Sequence, residues 1–235
     1  MVTEQTQKRT MASKLADSVR DDIVNGTHAP GARLNLSSLS KQYQAGINPL
    51  REALSRLSTT GFITAEDQRG FRVSEISRKE LIDTQRIRIE LECLALREAI
   101  TNGGVVWEGE IIAAHHRMSR IQNTPEGSRL ALDPDWETAH SDFHFTLLSG
   151  CKSEWLMLFI STLFECSTRY RKAVVLSEGK SIHRNVTKEH QDLMDSVLDK
   201  DADKACELLS QHFNETTQFI LASMDKLENQ AVKHP

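Results

Sequence analysis

The stretch Asn48-Pro49-Leu50-Arg51-Glu52-Ala53-Leu54-Ser55-Arg56-Leu57, closed by Gly61, reads as a helix with both ends marked. Asn48 suits the N-cap, where its side chain accepts from an orphan N–H of the first turn. Pro49 then falls at N1, where a missing N–H costs nothing. Gly61 falls at C′, where positive φ is usual. Leu50, Ala53, Leu54 and Leu57 form one apolar stripe at i, i+3, i+4, i+7. Arg51 then lies in the first turn on the other side. An arginine held there, on a capped helix that follows another short helix, is how a helix-turn-helix reads DNA.

The flanking residues fit that frame. Ser13 to Val24 is helical, with Leu15, Val19 and Ile23 at i, i+4, i+8. Asn35 can cap a short helix over 36–43, and Gln44 to Ile47, containing Gly46, forms the turn between the two helices. Residues 62–65 and 71–74 read as short strands joined through Glu66 to Gly70. Three helices and a hairpin make a winged helix-turn-helix, and residues 1–75 are assigned to it.

Composition sets the wider limits. The chain has 235 residues, enough for two domains, and 39% apolar content. Its longest strongly apolar run, Trp155 to Ile160, is too short to span a bilayer, so no membrane partner is expected. Residues 1–10 are polar and lack a signal-peptide core, which predicts a cytoplasmic protein. The four cysteines form no CxxC pair and read as reduced core residues. Net charge is −4, but it is unevenly spread. Residues 1–74 carry ten Lys/Arg against seven Asp/Glu, and the remainder carries 19 against 26. A modestly basic head on an acidic body fits a DNA reader joined to a sensor.

From Arg78 onward helical periods dominate. They predict helices near 78–101, 107–122, 133–150, 153–177, 183–199 and 202–226, with Asp201 capping the last. A mainly α architecture follows, with residues 76–235 forming a bundle of six or seven helices. His140 and His144 are i, i+4 and share one helix face, while His190 and His212 lie on two other helices. Four such imidazoles can converge in a bundle core on a metal, although isolated helical histidines are more often surface or hydrogen-bonded core residues. Asp142 is excluded from that face by its i+2 position. Arg88 either clamps a carboxylate in a cavity or pairs with Glu92 at i, i+4. Arg169 and Arg171 flank Tyr170 in an otherwise apolar helix, and at most one of them is expected to point inward.

The segments PGARL (30–34), LSSLSKQY (36–43), PLREALSRLSTTGFI (49–63) and RGFRV (69–73) resemble the DNA-binding domain of the GntR family of bacterial transcription regulators. The rest resembles the FCD, or FadR-type, effector domain of that family. GxxPLREALS (46–55), WxxxHxxFH (136–144) and RYR (169–171) look most like the branch typified by carbon-starvation-induced repressors of glutarate and γ-aminobutyrate catabolism. Gly46-Ile47-Asn48 replaces the usual Ser-Arg-Thr of the family's turn, so the usual operator is not carried over.

The resemblance implies a homodimer on double-stranded DNA at an inverted repeat. DNA contacts are expected from Ser37, Asn48, Arg51, Arg56, Arg69 and Gly70. It implies a small carboxylate effector, a short dicarboxylate such as glutarate, held by Arg88 and Arg171. Metal-binding FCD domains carry DxxFH followed by single histidines on the last two helices. His144, His190 and His212 match that pattern, and His140 stands where the aspartate is usual. Exchanging carboxylate for imidazole shifts preference toward Zn²⁺ or Ni²⁺. Two readings compete with an effector-controlled regulator. One is a hydrolytic enzyme using a bundle-held metal. The other is a constitutive architectural DNA binder whose helical domain only dimerises.

Overall fold

Thr10 Oγ1 accepts from the N–H of Ser13 and starts the first helix, α1, at Met11–Val24. The computed structural model describes residues 10–66, 70–122, 134–178 and 185–233. Contacts divide the chain into two units, Met1–Ile76 and Ser77–Pro235.

In the first unit, β1 spans Arg33–Leu34, α2 Leu36–Gln42, α3 Ile47–Thr59, β2 Ile63–Glu66 and β3 Gly70–Val73. Asn35 Oδ1 accepts from the N–H groups of Ser37 and Ser38, so the α2 cap works as its sequence suggests. The α3 cap does not. That helix begins two residues earlier than expected, with Gly46 at the N-cap and no side-chain cap bond. Asn48 and Pro49 therefore sit at N2 and N3. An N3 amide has no intrahelical partner either, so proline is as cheap there as at N1. The left-handed residue of the interhelical turn is Gln44, at φ 49°, rather than Gly46. Gly61 follows the C-cap Thr60 at φ +78°, as expected.

The wing is a three-stranded antiparallel sheet in the order β1-β3-β2, with Arg33 opposite Arg72 and Ile63 opposite Val73. The two-residue strand β1 is too short for any alternation to announce it. Pairing with β3 creates it. Val19, Leu50, Leu54, Phe62, Ile63 and Val73 close the core of this unit, each contributing about 1.5–3 kcal/mol on burial.

The second unit is all helical among the described residues. It comprises α4 Arg78–Asn102, α5 Val105–Gln122, α6 Pro134–Leu148, α7 Glu154–Glu178, α8 Val186–Leu198 and α9 Ala202–Lys233. Ser77 caps α4 through Glu80 N–H, and Asp201 Oδ1 accepts from Lys204 N–H at the start of α9. The last helix continues seven residues past the expected end at 226. The expected connection through Thr124 to Asp133 and the expected helix start at 183 lie outside the described residues. Packing of α4 against α7 and α9, and of α5 against α6 and α8, buries Leu96, Ile111, Met118, Phe143, Leu193 and Leu209 in one core. Helix contacts are close where residues are small. A Cβ built on Gly150 would lie 2.7 Å from Ala99 O.

Candidate functional site

Helical spacing puts His140 and His144 one turn apart on α6, with ring centroids 4.5 Å apart. His190 from α8 and His212 from α9 close the group. One nitrogen of each of the four lies within 4.8 Å of the others, and all four residues are buried. Aromatic rings enclose them. Trp136 stacks on His140 at 4.5 Å, and Phe143, Phe164 and Phe213 pack around the cluster.

The chemistry of this donor set follows from its surroundings. Burial, the other imidazoles and the guanidiniums of Arg88 and Arg171 hold His140 and His144 well below the usual histidine range. Both are therefore neutral, with lone pairs available. Among the described residues, Nδ1 of His140 and both ring nitrogens of His144 have no hydrogen-bond partner. Leaving such a group unsatisfied costs about 1–3 kcal/mol. A divalent ion fits this set. Nitrogen ligands at about 2.0–2.1 Å in tetrahedral geometry stand roughly 3.3 Å apart, so modest contraction of the cage closes it on a metal. His212 Nδ1 is 2.8 Å from Glu189 Oε2. Glu189 escaped the sequence reading because an acid on α8 that serves a ring on α9 leaves no periodic signal.

A small cavity of about 30 Å³ opens beside the cage, lined by His140, His212, Arg88, Arg171, Gln85 and Thr216 among others. Of the two alternatives for Arg88, the structure shows the i, i+4 pair with Glu92. Its Nε donates to the buried Glu92 carboxylate, and the guanidinium also faces the cavity. It sits 4.1 Å from the Phe213 ring centroid and 4.7 Å from that of Phe164. Burial pulls Arg88 down and Glu92 up, and each partner's charge opposes the other's shift. Arg171 donates to Glu137 and Thr168 and lines the cavity. Arg169 is buried as well and donates to Glu80 at 3.2 Å. The expectation that only one of these arginines turns inward is corrected. Because α7 is covered on more than one side, residues on opposite faces both meet protein.

Helices α2 and α3 present a different environment. Arg51, Asn48 and Ser37 are exposed, and Ser37 Oγ donates to Asn35 Oδ1 at 2.6 Å. Arg51 has no side-chain partner among the described residues. Arg56 donates to Glu52 at 2.6 Å and to Ser13 of α1 at 2.7 Å. Gly70 starts β3 at φ +93°, and Arg69 lies outside the described residues.

Residues 11–73 match the gntR family of bacterial regulatory proteins, and residues 83–215 match the FCD domain. The chain belongs to the GntR family. Within it, the FCD domain holds the histidine cage and the gntR domain holds Arg51. The regulator BphR of Paraburkholderia xenovorans (strain LB400) is 34% identical over 90% of this chain and 86% of its own length. The repressor GlaR of Escherichia coli (strain K12) is 34% identical over 83% of this chain and 88% of its own length. The structure of E. coli McbR/YncC shares the fold, with a TM-score of 0.76 and 17% identity over 92% of this chain and 99% of that one. This GntR-family chain is a DNA-binding transcription regulator, and its relatives and fold are not those of enzymes. Among the described residues, no helix is long and apolar enough to cross a membrane.

Proposed function

We propose that this GntR-family regulator is a cytoplasmic, homodimeric repressor controlled by a small carboxylate. In this reading His140, His144, His190 and His212 hold one Zn²⁺ or Ni²⁺. The effector, a short dicarboxylate such as glutarate, takes one oxygen to the ion and sets its other charge against Arg88 and Arg171. The observation that carries the reading is the cage of four buried imidazoles, two of which, His140 and His212, share a cavity with the buried guanidiniums of Arg88 and Arg171. Repression is supported by the name of the relative GlaR. Two reading helices related by a two-fold axis demand an inverted repeat, with Arg51 on a base edge. Asn48 and Ser37 flank it, Arg56 positions the helix, and Arg69 with Gly70 carries the wing tip.

Control requires the effector to prefer one conformation. A cavity of about 30 Å³ has room for little more than a water, so a dicarboxylate enters only as the surrounding helices part. One of those helices is α7. Its Arg171 faces the cavity, and the residue before it, Tyr170, accepts from the N–H of Ser77 at 3.3 Å. Ser77 begins the second unit, so movement of α7 reaches the chain where the DNA-binding unit ends.

The test is metal analysis and operator titration of His144→Ala and His190→Ala beside the wild type, with Zn²⁺ and glutarate as probes. Loss of stoichiometric metal and of effector response, with unliganded operator affinity retained, supports the reading. A normal response in both variants removes the cage from control. Operator affinity insensitive to metal and to small carboxylates would favour a constitutive architectural binder.

A further inference from the structure

Helices α4 and α9 bring together two thiols that the histidine cage does not use. Cys93 Sγ donates to the carbonyl of Cys206 at 3.7 Å, and Cys206 Sγ donates to the carbonyl of Cys93 at 3.6 Å. Side chains that each reach the other's backbone stand opposite one another across the helix contact, and a disulfide requires that placement. Ser210 Oγ lies 3.8 Å from Cys93 Sγ and donates to the Cys206 carbonyl at 2.7 Å.

The two thiols are not equivalent. Cys93 is half-buried and Cys206 is buried. Hydrogen bonding with Cys206 pulls the Cys93 thiol below the usual cysteine range; burial and the Glu92 charge oppose this, and Ser210 and the Arg97 charge assist it. Bonding to Cys93 and burial push Cys206 up, so it keeps its proton. The remaining cysteines are unlike both. Cys151 gives its S–H to Glu98 at 3.2 Å, and burial pushes Cys151 and Cys166 up.

We propose that Cys93 and Cys206 are a peroxide-oxidisable pair, with Cys93 as the attacking thiol and Cys206 as the resolving one. The Cys93 thiolate attacks the O–O bond of a hydroperoxide, forming a sulfenic acid and releasing an alcohol, or water when the oxidant is hydrogen peroxide. Cys206 sulfur then attacks the Cys93 sulfur, and its proton leaves with the hydroxide as water. Two thiols and one hydroperoxide give one disulfide, one alcohol and one water. The product staples α4 to α9 beside Glu92, the partner of Arg88. It thereby pins the two helices that bring Arg88 and His212 to the cavity. The thiol chemistry stands whether or not that cavity takes a carboxylate.

The test exposes the full-length protein to a small molar excess of hydrogen peroxide, followed by thiol titration and peptide mapping without reductant. The expected result is loss of two of the four thiols, one intramolecular Cys93–Cys206 peptide, and full recovery with dithiothreitol. Cys206→Ser should accumulate a sulfenic acid at Cys93 that dimedone traps. Cys93→Ser should slow thiol loss at least about tenfold. Oxidation that starts at Cys151 or Cys166, or a link between two copies, overturns the proposal. So does a Cys93 that passes to sulfinic acid with Cys206 present.

Discussion

His212 Nδ1 meets Glu189 Oε2 at 2.8 Å, so a carboxylate on α8 orients an imidazole on α9. With the Nδ1 proton held by the carboxylate, Nε2 carries the lone pair and the ring is a better metal donor. Glu189→Gln keeps the shape and removes the charge. Zn²⁺ affinity should fall about 10–100-fold, read by competition with a chromophoric chelator, while thermal stability of the metal-free protein stays near wild type. Unchanged affinity would make the contact merely structural.

The metal-free protein should lose stability as pH falls below about 6.5. His140 and His144 are held well below that value in the fold, first by burial and then by neighbouring positive charge. Between the folded and unfolded pKa values the unfolded chain binds more protons, so acid favours unfolding. The slope is at most about 1.4 kcal/mol per pH unit for each histidine. Urea melts at pH 7.5 and 5.5 measure it, and a double substitution of His140 and His144 by phenylalanine should flatten it. The same depression carries metal binding to lower pH than exposed histidines allow.

Arg51 and Arg56 should separate cleanly. Arg51 is exposed and unpaired among the described residues, and a bidentate contact to guanine is worth about 1–3 kcal/mol of discrimination. Arg51→Ala should lower affinity for the cognate operator about 10–100-fold at fixed salt and relax preference at one base pair of each half-site. Arg56 is engaged with Glu52 and Ser13. Arg56→Ala should weaken binding to all sequences alike, read by titration against cognate and scrambled duplexes. A changed base preference in that variant would reverse the two roles.

Gly150→Ala tests the packing that supports the cage. The added methyl would meet backbone, Ala99 O at 2.7 Å and Ala99 Cα at 2.9 Å, where no flexible side chain can yield. A destabilisation of about 1–3 kcal/mol is expected from denaturant melts. An unchanged midpoint would mean that the end of α6 moves freely from α4.

The features legible in the residues alone are local. The stripe from Leu50 to Leu57, the caps at Asn35 and Asp201, the left-handed Gly61 and the helical periods after Arg78 depend on residues within a few positions of each other. Backbone geometry converts such spacings directly into helices. The turn spacing of His140 and His144 is legible for the same reason. Tertiary structure decided the rest. It created β1 by pairing it with β3, moved the α3 cap from Asn48 to Gly46, and buried both Arg169 and Arg171. It also brought His190 and His212 to α6, set Glu189 behind His212, and placed Cys93 against Cys206. These meetings join residues from separate helices or strands across long stretches of chain. The packing of those elements sets them, and no periodicity within one element encodes the packing.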